Sequence, residues 1–262
     1  MSENGTGYFV SPEYLRQAAE LALPVKQYSY SELHLENNVA ILDAGCGPAI
    51  DTLPLSSFVG ESGSVIGIDL DFQMVKVANS RTATQKTSVT PKHLQGAIIK
   101  LPFKNDHFDG CRCERVFQHL PDPLYALQEL KRVTKNGGRI VVVDTDHSTT
   151  TADFPDQDLG WILVRLQAER FQCGYAGRIL YRLFQQAGIK DVKTKSFVFN
   201  TTSFELFRFA TEMNSLLALA VSRNLISQSK ADSFLQNLQK RDEKKMFFGS
   251  LNMNVVSGTV QK

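Results

Sequence analysis

Apolar and polar positions along this chain change period at residue 39. From there, short apolar runs, each ending at an acidic residue or a glycine, alternate with longer stretches whose apolar positions recur at helical spacing. Val39-Ala40-Ile41-Leu42 stops at Asp43 and a Gly-x-Gly turn, and helical material is predicted from there to about Phe58. Ser64-Val65-Ile66-Gly67-Ile68 reads as a second strand ending at Asp69, after which Asp71 caps a helix carrying Met74, Val75, Val77 and Ala78. His93-Leu94-Gln95 predicts a short third strand and Phe108 to Cys113 a fourth. A helix from Pro121 to Val133 places Leu124, Leu127, Leu130 and Val133 on one face, and Arg139 to Asp144 is the fifth strand.

The pattern further predicts one long helix over 158–187, a sixth strand near Val192–Phe199, helical material over 203–241 broken after Asn224, and a last strand within Met246–Val260. Upstream, Ser11-Pro12-Glu13 supplies a helix start, Pro24 breaks that helix, and a second stretch runs through Tyr28 and Leu33. Strand–helix alternation with short connections implies an α/β fold, a doubly wound sheet covered on both faces. The expected organisation is a single domain: a helical cap over 1–38, a strand–helix core over 39–200, a helical insertion over 201–245 and a final strand over 246–262.

Composition narrows the partners. Apolar residues make up 42% and charged residues 21%, which excludes wholesale disorder, and a formal charge of +2 is too mild for a nucleic-acid binder. The densest basic run, Lys240-Arg241-Asp242-Glu243-Lys244-Lys245, is interrupted by acids and reads as solvated surface. Cys46, Cys111, Cys113 and Cys173 lack the Cys and His spacing of a metal site, so no metal is expected and the thiols read as free and buried. The opening Met-Ser-Glu-Asn-Gly-Thr-Gly has neither a basic nor an apolar leader segment, and no apolar stretch has the length of a membrane span. The expected location is therefore cytoplasmic, as a monomer or a homodimer.

The chemistry begins at Asp43-Ala44-Gly45-Cys46-Gly47. Glycines after a strand let backbone N–H groups approach a ligand closely, and Asp69 at the end of the next strand suits the two hydroxyls of a ribose. These features point to a nucleoside-containing cofactor. A dinucleotide fingerprint needs a third small residue where Ile50 stands, and the Asp43 carboxylate would repel a pyrophosphate. The acid suits an amino group or a sulfonium instead, leaving an NAD(P)-dependent oxidoreductase as an alternative of lower rank.

Val39 to Pro48 resembles the first motif of class I S-adenosylmethionine-dependent methyltransferases. Gly67-Ile68-Asp69-Leu70-Asp71, with Met74 following, is similar to the ribose-binding strand end of that family. Gly96-Ala97-Ile98-Ile99-Lys100-Leu101-Pro102-Phe103 is similar to its adenine-flanking loop. Phe108-Asp109-Gly110, Glu114 to Pro123, and Lys135-Asn136-Gly137-Gly138 resemble the group containing ubiquinone and menaquinone methyltransferases. The resemblance implies S-adenosylmethionine as methyl donor and a Rossmann-like seven-stranded sheet whose last strand is antiparallel. It further implies cofactor-binding positions at Asp43, Ala44, Gly45, Cys46, Gly47, Asp69, Leu70, Met74, Gly96, Ala97, Ile98, Glu114, Arg115 and His119. Glu114 also has a structural reading. Ala97 replaces the family's usual Asp, which removes a side-chain acceptor for the adenine amino group and keeps a non-catalytic cofactor binder as a second alternative.

Methyl transfer from a sulfonium needs alignment and exclusion of water, with a base where the acceptor is oxygen or nitrogen. His119, after the fourth strand, and Asp144 and His147, after the fifth, are the candidate catalytic groups. Asp146 lies beside them. Each also has a plain loop-forming role. Tyr14, Tyr28, Trp161, Phe204, Phe207 and Met213 are candidates to line the acceptor side of a helical lid, or to pack it. Their apolar character favours a small apolar or aromatic acceptor.

Overall fold

The computed structural model describes residues 22–262. The helix start at Ser11 and the lining position Tyr14 lie outside the described residues. Helix α1 (Leu23–Ser31) has Pro24 in its first turn, where a missing N–H costs nothing. Then follow β1 (Ala40–Ala44), α2 (Thr52–Ser56), β2 (Ser64–Asp69), α3 (Phe72–Ala83), β3 (Lys92–Gln95) and β4 (Phe108–Glu114). A 3₁₀ turn at Phe117–His119 leads to α4 (Pro123–Val133) and β5 (Thr134–Ala152). The chain continues through α5 (Gln157–Glu169), α6 (Ala176–Gln186), β6 (Lys190–Thr201), α7 (Phe204–Thr211), α8 (Met213–Ser222), α9 (Gln228–Glu243) and β7 (Gly249–Thr259).

The seven strands lie in the order β3-β2-β1-β4-β5-β7-β6. β1 pairs in parallel with β2 and β4, and β2 with β3. The last strand in the chain, β7, runs antiparallel, as the reciprocal bonds Gly137 N to Val260 O (2.8 Å) and Val260 N to Gly138 O (2.9 Å) at its end require. The doubly wound α/β expectation holds.

The chain divides into two compact units. One comprises the residues up to Glu114, with Gln128–Val141 and Thr259–Lys262; the other comprises Arg115–Leu127 and Val142–Gly258. In the first, Ile41, Leu42, Val65, Ile68 and Phe108 are buried, because strands covered on both faces must be apolar on both, and Leu130 of α4 is buried with them. In the second, Leu159, Leu163, Phe204, Phe207, Met213 and Phe234 belong to one apolar cluster built from α5 and α7–α9.

Three sequence expectations are corrected. Helical material after the first turn is only the five residues of α2, because Ala49 adopts a left-handed backbone (φ 61°) and Pro54 lies within the short helix. The long helix over 158–187 is two helices, with Cys173 N turned to the Gln118 carbonyl (2.9 Å) between them. The stretch 203–222 is likewise split where Glu212 takes φ 50° and leaves the right-handed helix. Asp71 caps α3 as expected, its carboxylate accepting from Gln73 N at 2.7 Å.

Candidate active site

At the end of β1 the chain turns through Gly45 (φ 79°) and Gly47 (φ 51°), conformations that favour glycine. The turn folds against β2: Gly45 N and Cys46 N both donate to the Ile68 carbonyl, at 2.7 and 3.0 Å. Gly47 N donates to Asp69 Oδ2 at 2.8 Å, and Asp71 N to Asp69 Oδ1 at 2.9 Å. The N–H groups that the sequence offered to a ligand are thus spent within the protein, and the turn contributes shape. Gly67 permits it, since a Cβ there would lie 2.7 Å from Cys46 Sγ.

Asp69 keeps acceptor capacity beyond those two bonds, because each carboxylate oxygen carries two lone pairs. Its pKa is raised, with burial outweighing the backbone bonds. Gly96 N donates to the Asp69 carbonyl at 2.9 Å, which brings the loop Gly96-Ala97-Ile98 to the same strand end. Ile98 and Met74 are buried, Ala97 is half-buried and Leu70 is exposed. Asp43, Ala44, Gly45, Cys46, Gly47, Asp69, Leu70, Met74, Gly96, Ala97 and Ile98 therefore all belong to the first unit, at or just after the ends of β1, β2 and β3 or on the first turn of α3.

Under the turn lies a charged set that the motifs did not announce. Arg112, fully buried in the middle of β4, donates from Nε to Ser29 Oγ (2.9 Å) and pairs with Glu114. Its guanidinium also lies 3.3 Å from Asp51 and 3.4 Å from Asp43. Lys26 from α1 bridges Asp51 (2.8 Å) and Glu114 (2.7 Å), and the Tyr30 hydroxyl donates to Asp51. Burial pushes the Asp43 carboxyl well above the usual range, against the pull of Arg112, whereas Arg112 and Lys26 hold Asp51 far below it. Glu114 is thus a partner of two cations. The one signal in the sequence was an arginine between two strand cysteines, Cys111 and Cys113.

Asp43 Oδ2 is buried with no hydrogen-bond partner among the described residues. A buried carboxylate oxygen without a hydrogen-bond partner favours a cationic group nearby, and a free Asp69 lone pair suits a ribose hydroxyl. The residues present fit S-adenosylmethionine.

The candidate catalytic groups lie in the second unit. Asp144 is fully buried and accepts from Thr145 N (2.8 Å) and Gln118 N (3.2 Å); burial pushes its carboxyl up to about 7. His147 Nε2 is 3.0 Å from Gln118 Oε1, and its ring stacks on Phe171 with centroids 3.9 Å apart. Burial lowers its pKa to about 3, so the ring is neutral. Gln118 Nε2 lies 3.1 Å from His119 Nε2, and His119 is exposed beside Phe171. With His147 donating to Gln118 Oε1, the amide N–H₂ donates to His119 Nε2 and places the His119 proton on Nδ1. Arg115 takes φ 55° and donates its N–H to Val143 O at 2.8 Å. Gln118 and Phe171 were not singled out in the sequence, because neither residue type marks chemistry alone.

Of the proposed lining positions, Phe204, Phe207 and Met213 are buried within the apolar cluster, Tyr28 is half-buried and Trp161 is 70% exposed. Among the described residues no group of His, Cys, Asp or Glu is arranged to hold a metal, and no helix is long and apolar enough to cross a membrane.

A mixed seven-stranded sheet in the order β3-β2-β1-β4-β5-β7-β6 with β7 antiparallel, a Gly-x-Gly turn after β1 and an acid closing β2 together make the class I methyltransferase architecture. The methyltransferase domain family matches residues 42–142. The chain is 31% identical over 191 residues to demethylmenaquinone methyltransferase of Staphylococcus saprophyticus, covering 67% of this chain and 80% of that protein. It is 36% identical over 178 residues to an uncharacterized 37.1 kDa protein in a Streptomyces fradiae transposon, of whose length it spans about half (51%). In fold it matches the YcgJ protein of Bacillus subtilis with TM-score 0.64 at 20% identity, over 92% of this chain and 99% of that one. The chain belongs to the class I S-adenosylmethionine-dependent methyltransferases of the menaquinone type, and its cofactor is S-adenosylmethionine. The matches lend no support to an NAD(P)-dependent oxidoreductase or a non-catalytic binder.

Proposed function

We propose that the chain methylates a small aromatic or apolar acceptor, using S-adenosylmethionine held on the strand ends of the first unit. The observation that carries this is a buried, unpartnered Asp43 oxygen on β1 and the Asp69 carboxylate ending neighbouring β2, at a turn shaped by two left-handed glycines. The Staphylococcus relative is named for demethylmenaquinone, which supports an aromatic acceptor here.

The cofactor supplies an activated methyl group, so the residues mainly bind and orient. Asp69 takes the ribose hydroxyls, Asp43 faces a cationic group of the methionine end, and the Gly96–Ile98 loop flanks the adenine through backbone groups because Ala97 offers no side-chain acceptor. His119, exposed and linked to Gln118, is the candidate proton-exchanging group of the second unit. His147, Asp144 and Gln118 fix its loop. The protein acts in the cytoplasm without a nucleic-acid partner, as a monomer or homodimer.

An acceptor screen that follows S-adenosylhomocysteine formation tests this, with Gly45→Arg as control. Turnover is expected with a small aromatic or apolar compound. Gly45→Arg should lower cofactor affinity about a hundredfold by calorimetry while circular dichroism is unchanged. Unchanged affinity would mean that the cofactor binds elsewhere.

A further inference from the structure

In the second unit a line of hydrogen bonds starts at Arg170 and ends on the exposed ring of His119. Arg170, paired with Glu212 at 2.6 Å, reaches Gln167 Oε1 at 3.4 Å. Gln167 Nε2 lies 3.5 Å from His147 Nδ1, and His147 Nε2 lies 3.0 Å from Gln118 Oε1. Gln118 Nε2 completes the line, 3.1 Å from His119 Nε2. Gln167, His147 and Gln118 are all buried, so two donors or two acceptors facing each other there would go uncompensated.

Such a line has a direction. A guanidinium only donates, so Gln167 turns its oxygen to Arg170 and its amide N–H₂ to His147 Nδ1. His147, kept neutral by burial, then carries its proton on Nε2 and donates to Gln118 Oε1. That leaves the Gln118 amide N–H₂ as donor to His119 Nε2. Run the other way, the line would set two donors face to face at Arg170. The Gln118 backbone is pinned too, its N–H donating to Asp144 (3.2 Å) and its carbonyl accepting from Cys173 N (2.9 Å).

The consequence falls on His119. Burial of part of its ring and the nearby Arg115 lower its pKa, so near neutral pH the ring holds one proton. With Nε2 accepting from Gln118, that proton sits on Nδ1, the tautomer that a free histidine side chain disfavours. Nδ1 makes no hydrogen bond to any described residue. We propose that Gln118, oriented through His147 and Gln167 from Arg170, is a positioning residue that makes His119 a hydrogen-bond donor at Nδ1 rather than a base, for an acceptor that brings an oxygen lone pair to that edge, as a hydroxyaromatic compound does. The second half rests on the reading of His119 as the proton-exchanging group and narrows it: His119 gains a proton only at Nε2, and only when the Gln118 bond breaks.

NMR of the ring nitrogens in the histidine-labelled full chain at about pH 8 reads the tautomer directly. His119 is assigned among the five histidines by the signals that His119→Asn removes. In the wild type its proton is expected on Nδ1. In Gln118→Met, which keeps the length of the side chain without the amide, the proton should move to Nε2. His147→Phe keeps a ring on Phe171, 3.9 Å between centroids in the wild type, but frees Gln118 to turn, and the same move is expected. A purely structural His147 would leave the tautomer unchanged, and that result overturns the relay. A wild-type His119 protonated on Nε2, or a proton that stays on Nδ1 in Gln118→Met, overturns the proposal outright; the wild-type spectrum decides alone should the variants not fold. The acceptor half is read separately with α-naphthol as probe and S-adenosylhomocysteine present. Its oxygen should shift the wild-type His119 Nδ1–H signal. Absence of a shift overturns the oxygen-bearing acceptor and leaves the tautomer assignment standing.

Discussion

Two buried aspartates, Asp43 in β1 and Asp144 in β5, show how differently the same burial can leave two carboxylates engaged. Each is almost wholly removed from water, and burial raises both pKa values. Their company differs. Asp43 has a guanidinium at 3.4 Å on one oxygen and no hydrogen-bond partner on the other. Asp144 has the backbone N–H groups of Thr145 and Gln118, one on each oxygen. Backbone donors cannot leave, so Asp144 is fully employed in holding the turn that carries Gln118 and His119. Asp43 depends on a cation shared with Asp51 and Glu114, and one oxygen stays without a partner among the described residues.

The contrast breaks most visibly at Arg112. Arg112→Met removes the shared cation from three buried carboxylates and should cost about 3–5 kcal/mol in urea unfolding near neutral pH. The loss should shrink toward acid, where the carboxylates take up protons. A cost below about 1 kcal/mol would mean that water reaches the set and that Asp43 is not short of compensation.

A smaller effect is expected at Asp144. Its folded pKa of about 7 lies above the unfolded value of 3.8, so between those values the folded state binds a proton that the unfolded state has released. Its contribution to stability is therefore full below about pH 4 and lost as pH rises through 7, a swing on the order of 3 kcal/mol. Asp144→Asn is neutral throughout and loses an acceptor for one N–H. Relative to wild type it should be weakest at about pH 4.5 and recover by that swing at about pH 7.5. A pH-independent difference would show that Asp144 is ionised in the folded protein like an ordinary surface acid.

These features were unequally legible. The strand ends were readable because an apolar run that stops at an acid, as at Asp43 and Asp69, marks the change from apolar packing to polar contacts. The reach of β5 to Ala152 was not, because Thr145 to Thr151 mixes polar and β-branched residues that read as a loop until neighbouring strands are known. Glu212 carries no helix-breaking signature, so the split between α7 and α8 was hidden. Arg112 was visible as a charge within a strand. Its partners were not, because Ser29 and Asp51 meet it only through the fold, and periodicity holds no information on such distant pairings.

His147 yields the smallest effect and the opposite sign. Its folded pKa of about 3 lies below the unfolded value of 6.5, since burial beside Phe171 keeps the ring neutral. Its contribution is present above pH 6.5 and is lost as pH falls toward 3, because the unfolded chain gains a proton that the folded chain refuses. At about pH 5 this should cost wild type roughly 2 kcal/mol relative to neutral pH. His147→Gln cannot charge, so relative to wild type it should gain stability on acidification, where Asp144→Asn loses it. In the wild type the two residues offset each other between about pH 4 and 7, and its stability is expected to be flatter than that of either variant. Urea unfolding at three pH values reads both slopes. Should the two variants tilt the same way, His147 is charged in the folded protein, and burial beside Phe171 does not keep its ring neutral.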